Sequence, residues 1–442
     1  MKHTKHMKQT ASIISTYSAD TFGVCSALYE LGGMVVIHDP SGCNSTYTTH
    51  DEPRWFSKDS LIFVSALTEQ DAILGNDKKL VDDIVTAARE LRPRFICLIP
   101  SQIAHMIATD CRALARILEQ KTGIPSFTLP TNSMHYYERG IFFALEKIAD
   151  FVCQKAKAAG FAGLQETPEK NKYDEGNLFN AGNRDIKLTD GMPLKVNLLG
   201  ATPLDFAMNG SIESIRKWLE SQGHTVKSCW AMGSSLDEIL SSYDADCNLV
   251  LSYGGLGAAR KMQARLGIPY EVGLPVGGKF FPARTAAAAS ATGTEKPAPD
   301  KAGQKTSLPH LASAPSSPTG ERPRRVFLIG ETVLTQSLVT ALTGILGFHP
   351  TVIVPMETDR EILAPDTLQL TDEAELMPVL RDADLIIADP LYKPICPSHA
   401  AFVPLPHVAF SGRLYLRKIP NLIEEDIFAD FAEKVLARLQ AK

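Results

Sequence analysis

Met34-Val35-Val36-Ile37-His38 runs into Asp39-Pro40-Ser41-Gly42-Cys43, and further on stands Thr68-Glu69-Gln70-Asp71-Ala72-Ile73-Leu74-Gly75-Asn76-Asp77-Lys78-Lys79-Leu80. An apolar run that ends in turn residues reads as a short buried strand. Pro40 and Gly42 then force a tight turn and present the Cys43 thiol at the strand's carboxyl edge, where α/β proteins keep their chemistry. A thiol in that place fits a cluster or metal ligand; it also fits a cysteine packed in a turn. The carboxylates Glu69, Asp71 and Asp77 of the second stretch suit a helix start, near the dipole's positive end.

Outward from this stretch the chain alternates strand and helix. Phe22 to Leu31 is helical in pattern and feeds the Met34–His38 strand. Leu61 to Val64, Phe95 to Ile99 and Ile124 to Leu129 read as further strands. The helices between them are predicted over Lys79 to Leu91, with Leu80, Ile84, Ala88 and Leu91 inward, and over Ile103 to Gln120, with Ile103, Ile107, Leu114, Ile117 and Leu118 inward. A long helix follows from Tyr137 to Ala158. The pattern then repeats: strands over Leu194 to Leu199, His224 to Cys229 and Cys247 to Leu251, and a helix burying Ile212, Ile215, Trp218 and Leu219. Gly254-Gly255-Leu256-Gly257 opens a further helix, either as a packing turn or as an anion-accepting N-terminus. It fits neither Gly-x-Gly-x-x-Gly nor the Walker pattern. After a Ser/Thr/Pro/Ala-rich stretch, strands return at Val326 to Ile329, Thr351 to Val354, Asp384 to Ala388 and His407 to Phe410. Helices lie over Val333 to Leu346 and Ile427 to Leu439.

Such alternation predicts parallel sheets covered by helices on both faces: an α/β chain of three doubly wound, Rossmann-like domains. The expected division is a first domain over 1–162, a connecting segment over 163–190, a second domain over 191–283, a linker over 284–323 and a third domain over 324–442. The linker has almost no large apolar side chains, too few to offset its ordering entropy, so disorder is expected there.

Composition narrows the class. The 442 residues are 44% hydrophobic and 21% charged, with a formal net charge of -5, which leaves no basic footprint for nucleic acid. No apolar run approaches the ~20 residues that span a bilayer. The basic start (Lys2, His3, Lys5, His6, Lys8) lacks a following apolar segment, which reads against a signal peptide. Eight cysteines scattered through so long a chain fit reduced thiols. A cytoplasmic protein is expected.

The quoted residues resemble the nitrogenase component 1 family: nitrogenase-like oxidoreductases, their cofactor-assembly scaffold chains and related tetrapyrrole reductases. The family's Gly-Pro-x-Gly-Cys turn is matched from Pro40 to Cys43, with Asp39 in place of the glycine. Its Thr-Glu-x-Asp-x-x-x-Gly-x-x-x-Lys-Leu signature is matched throughout Thr68 to Leu80. Asn248 to Tyr253 and Gly267 to Tyr270 match further on.

The resemblance implies that Cys43 supplies a thiolate to an iron–sulfur cluster shared at the interface of two such chains, since soft anionic sulfur binds iron in both cluster oxidation states. An upstream cysteine ligand is matched less closely by Cys25. At the third ligand position stands Ser101, with Cys97 and Cys111 out of place. Two thiolates from each subunit of a homodimer would complete one [4Fe–4S] cluster; a heterodimer with a better-equipped partner is the alternative. Ser252 occupies the position of the cofactor-holding cysteine, and His407 lies one residue out of register with the cofactor histidine, so no molybdenum cofactor is expected. Cys97, Cys111, Cys153, Cys229, Cys247 and Cys396 read as buried structural thiols.

The implied activity is reduction of a tetrapyrrole or another small molecule, with electrons from a separate ATP-dependent iron protein. The alternatives are a non-catalytic scaffold for metallocluster assembly and a metal-free ligand-binding module.

Overall fold

The computed structural model describes residues 12–47, 51–165, 188, 191–283 and 324–440. The expected linker 284–323 lies outside the described residues, as does most of the connecting segment 163–190. Three sheets carry the chain. The first has the order β2-β1-β3-β4, from β1 (Met34–His38), β2 (Leu61–Val64), β3 (Ile96–Pro100) and β4 (Ser126–Thr128). The second runs β6-β5-β7-β8-β9, from β5 (Lys195–Leu199), β6 (Thr225–Cys229), β7 (Cys247–Val250), β8 (Tyr270–Leu274) and β9 (Phe281–Pro282). The third runs β12-β11-β10-β13-β14, from β10 (Val326–Ile329), β11 (Thr351–Val354), β12 (Leu368–Gln369), β13 (Leu385–Ala388) and β14 (Ala401–Pro404). All pairings are parallel except β8 with β9. β1, β3, β7, β10 and β13 are apolar almost throughout and buried, as central strands covered on both faces require.

Several sequence expectations need correction. The helix expected over Ile103 to Gln120 is two helices, Gln102–Met106 and Cys111–Thr122. Ala108 lies between them in the left-handed region (φ 57°), and Asp110 caps the second by accepting from the Ala113 amide at 2.9 Å. The break leaves Ile103, Ile107 and Ile117 exposed, while Leu114 and Leu118 are buried as expected. Leu91 is exposed at the end of the Asp77–Leu91 helix, and Trp218 is half-buried, stacked on Phe280. His407 to Phe410 is not a strand: β14 comes earlier, and His407 instead caps the short Val408–Ser411 helix. A short apolar run carries no period that separates strand from helix.

The Tyr137–Ala158 helix holds the layers together, and glycines set how closely. Against the Asp20–Leu28 helix, a methyl group on Gly23 would lie 1.8 Å from the Tyr137 carbonyl oxygen, and one on Gly140 would lie 1.9 Å from the Asp20 oxygen. On the side of the second sheet, a methyl group on Gly254 would lie 2.4 Å from the Ile141 side chain and one on Gly257 2.8 Å from the Phe142 ring. The Gly254-Gly255-Leu256-Gly257 turn is therefore a packing feature. The Asp20 carboxylate fixes the approach to the helix, accepting from the Asn132 and Ser133 amides at 3.0 and 2.8 Å.

A second tie is ionic. Arg54, fully buried, donates from Nε to Glu52 at 2.7 Å, from Nη1 to Glu30 at 3.1 Å and to the Ala231 carbonyl at 2.6 Å. This joins the segment after Cys43 to the chain just beyond β6. Every donor is spent, which is the condition under which a buried charge is tolerated.

Gly140→Ala should destabilise the protein by about 3 kcal/mol, the upper end of overpacking costs. Gly42→Ala, where an added Cβ meets nothing within 4 Å, should change stability by less than about 0.5 kcal/mol. Denaturant unfolding of the two variants checks the pair.

Candidate functional site

In open parallel sheets ligands bind outside the carboxyl ends, where the strand order reverses. Those reversals fall between β1 and β3, between β5 and β7, and between β10 and β13. The chain beyond each pair holds the residues of interest: Asp39 to Cys43 and Ser101 on the first sheet, Gly200 to Asp205 and Ser252 on the second, Glu331 and Asp389 on the third.

The carboxyl edges of the second and third sheets enclose a cavity of about 50 Å³, room for a few waters. Its polar wall includes Asp205, Glu331, Asp389 and His407; Leu274, Ile329, Leu405 and Phe410 are among its apolar residues. No lysine, arginine or cysteine is among the lining residues. Asp389 is spent on structure, accepting from the His407 amide at 2.7 Å, the Leu391 amide at 2.8 Å and the Ser411 hydroxyl at 2.5 Å. His407 Nδ1 accepts from the Ala409 amide at 3.3 Å, which assigns the ring proton to Nε2. Nε2 then faces Asp205 Oδ1 and the Tyr137 hydroxyl, each at 3.5 Å, and that hydroxyl donates to Asp205 Oδ1 at 2.5 Å.

Glu331 caps the Thr332–Leu346 helix, accepting from the Leu334 amide at 2.8 Å and, from the chain beyond β7, from the Tyr253 amide at 2.9 Å. Burial, reinforced by the Asp205 charge, still pushes its carboxyl up to about 7. Glu138, next to Tyr137 in the chain, is fully buried, its carboxyl held well above the usual range by burial and then by the charges of Glu331, Asp205 and Glu357. A carboxyl that titrates near neutrality beside a cavity can give and take protons there.

The sequence-predicted residues are only partly brought together. His407 lines the cavity. Ser252 does not: its buried hydroxyl donates to the Gly200 carbonyl at 2.9 Å and fastens the ends of β7 and β5 together. Ser101 sits at the first sheet's edge, with its hydroxyl donated to the His38 carbonyl at 2.9 Å. Cys43 lies in the short Gly42–Thr46 helix directly beyond β1, preceded by Ser41 in the left-handed region (φ 97°). Cys25 is inside the chain's own core, and burial together with the Glu52 carboxylate raises its thiol far above the usual range. A cluster between two chains draws ligands from their surfaces, so Cys25 meets that requirement only if its helix shifts.

The residues fit an iron–sulfur cluster only in part, since at the third ligand position Ser101 offers a hydroxyl already donated to His38 rather than a thiolate. Among the described residues no three His, Cys, Asp or Glu side chains converge as a metal site. Cys97, Cys111, Cys153, Cys229 and Cys247 are buried, and Cys396 is half-buried. Among the described residues no helix is long and apolar enough to cross a membrane.

Three parallel α/β layers with functional groups at their carboxyl edges define the class of fold. The chain belongs to the nitrogenase component 1 type oxidoreductase family, whose model matches residues 21–387. It is 28% identical over 270 residues to the nitrogenase iron-molybdenum cofactor biosynthesis protein NifE of Clostridium pasteurianum, covering 59% of this chain and 51% of that one. It is 25% identical over 281 residues to one of the subunits of the light-independent protochlorophyllide reductase of Synechococcus sp. (strain CC9605), covering 63% and 49%. The chain spans about half the length of these curated relatives. A solved structure described as nitrogenase Cp1 at pH 6.5 superposes with a TM-score of 0.60 at 13% identity, covering 98% of this chain and 94% of that one, which establishes the shared fold.

Sequence reasoning missed Asp205, Glu331, Glu138 and Tyr137. The available signal was an acid just past an apolar strand, as in Ile329-Gly330-Glu331 and Ala388-Asp389.

Glu331 holds its proton to higher pH folded than unfolded, so its contribution is fully present below the ordinary value of 4.5 and is lost as pH rises to about 7. Wild-type stability should fall across that window. In Glu331→Gln, which keeps an acceptor for the helix cap, the fall should be smaller; denaturant titrations at stepped pH check it.

Proposed function

We propose that this chain is a subunit of a nitrogenase-like reductase. It would take electrons from an ATP-dependent iron protein and reduce a small, neutral or cationic, partly apolar molecule bound between the second and third sheets. The observation that carries the reading is the cavity wall: an acid near neutrality, an imidazole and apolar side chains, at the place where parallel sheets present ligands. Multi-electron reduction consumes protons along with electrons, and Glu331 is placed to provide one. The wall offers no lysine or arginine for a carboxylate-bearing ligand, and a tetrapyrrole would require the sheets to part. A molybdenum cofactor lacks its soft ligand here, since Ser252 is spent on Gly200.

The electron entry would be a [4Fe–4S] cluster at a subunit boundary, with Cys43 as ligand. Support comes from the surface around it. Beyond β2 the exposed side chains include Ile73 and Leu74, and beyond β3 they include Ile103, Met106 and Ile107. These strands flank β1 on either side, so the apolar side chains gather at the sheet edge that carries Cys43. An apolar surface of this kind marks a protein partner, here a second component 1-type chain, identical or related. The Thr68–Leu80 signature shapes that edge. Thr68 caps the Glu69–Leu74 helix, and Asp71 accepts from Thr68, Asn76 and Lys79 at 2.6, 2.9 and 2.9 Å.

A scaffold for metallocluster assembly is the second reading, favoured by the similarity to NifE proteins. Its weakness is the wall, which offers carboxylates and an imidazole where a nascent sulfide cluster would take thiolates.

Anaerobically purified protein should be brown and carry about four irons and four sulfides per dimer. Cys43→Ser should lose them, together with the EPR signal of the reduced cluster. Iron-free protein after anaerobic reconstitution would contradict the reading. Substrate turnover with a supplied iron protein separates reductase from scaffold.

A further inference from the structure

A second cleft lies at the amino ends of β3 and β4, the opposite edge of the first sheet from Cys43. Its volume is about 370 Å³, against about 50 Å³ for the cavity between the second and third sheets. One wall is the Tyr137–Ala158 helix, where Lys147, Phe151 and Gln154 are spaced by four and three residues and so share a face. Another is the short Leu236–Leu240 helix, which gives both of its end residues. The apolar part is a cluster of three rings. The Phe127 centroid lies 5.5 Å from that of Phe95 and 5.6 Å from that of Phe151. Gly33 lets the Phe95 ring seat closely, since a methyl group there would lie 2.1 Å from it.

The charges on this wall are not equivalent. Arg94 spends two guanidinium nitrogens on Asp237, at 2.9 and 2.6 Å, and so ties the start of β3 to the Leu236–Leu240 helix. Lys147 has no such partner. Its ion pair with Asp150 is long, 3.9 Å, while Asp150 holds Lys261 at 2.9 Å. The Lys147 ammonium instead sits 5.5 Å from the Phe127 centroid and 5.4 Å from that of Phe151, with the side chain 30% exposed. A cation held against aromatic faces, with donors to spare, is suited to an anion that also carries an apolar body. The remaining charge on the wall, the exposed Glu119, favours one negative charge on that molecule over two.

We propose that this cleft binds an aromatic monocarboxylate, its rings against Phe127 and Phe151 and its carboxylate on Lys147. Gln154, on the same helix face, adds an amide donor for the second carboxylate oxygen. Leu236 and Leu240 cover the apolar body from the other helix. The site is separate from the acid cavity, whose wall has no lysine or arginine and suits ligands of the opposite charge. It stands apart from the reductase reading.

Calorimetric titration of the full chain with naphthoate tests the site without iron or an electron donor. Wild type should bind one naphthoate per chain saturably, and the uncharged naphthamide of the same shape more weakly. Lys147→Met keeps an apolar stem beside the rings and removes the charge. It should weaken naphthoate by about tenfold or more, the worth of a charge-assisted hydrogen bond, and leave naphthamide unchanged. Gln154→Trp, at an exposed position, should fill the cleft and abolish binding of both, with an unfolding temperature at the wild-type value showing an intact fold. Absence of saturable naphthoate binding to wild type would overturn the proposal, as would equal affinity for the two probes. So would naphthoate binding that survives either substitution at wild-type strength.

Discussion

The close seating of the Tyr137–Ala158 helix is the constraint on which the architecture rests. Gly23 and Gly140 bring two helix backbones to a separation that admits no methyl group, and Gly254 and Gly257 let the second domain approach the same helix from another side. Packing this tight fixes the first turn of the helix, and so places the Tyr137 hydroxyl on Asp205 and buries the Glu138 carboxyl.

From that seating follows the electrostatic character of the interior. Asp205 and Glu331 share a cavity wall with no compensating lysine or arginine. Burial and the Asp205 charge therefore both push the Glu331 carboxyl toward protonation, up to about 7. Arg54 shows the opposite solution: its charge is matched by Glu52 and Glu30 and by the Ala231 carbonyl, and it ties segments together. Matched charge holds the domains, whereas unmatched acid marks the place where protons can move.

Much of the fold was legible in the sequence because apolar runs of strand length, ended by Gly, Pro and Ser, alternate with longer helical periods. Met34–His38, Leu61–Val64, Val326–Ile329 and the Tyr137–Ala158 helix appear with the expected bounds. Where the local signal was ambiguous the reading slipped. Left-handed Ala108 and the Asp110 cap separate two helices inside an apolar pattern that looked continuous, and Val408-Ala409-Phe410 is too short to carry a period. The site was less legible than the fold. His407 was singled out as a ligand candidate, but its ring is engaged by Ala409 and faces Asp205 and Tyr137. Asp205, Glu331 and His407 stand far apart in the chain and meet at one cavity only through packing, which no local pattern records.

The claim that this is an electron-receiving subunit with an iron–sulfur cluster at its edge, and a metal-free acid cavity, is tested most directly by iron-edge anomalous diffraction from anaerobically grown crystals. The account predicts iron density beside Cys43, on the boundary with a neighbouring chain, and none among Asp205, Glu331 and His407. Iron inside that cavity, or none beside Cys43, would contradict it.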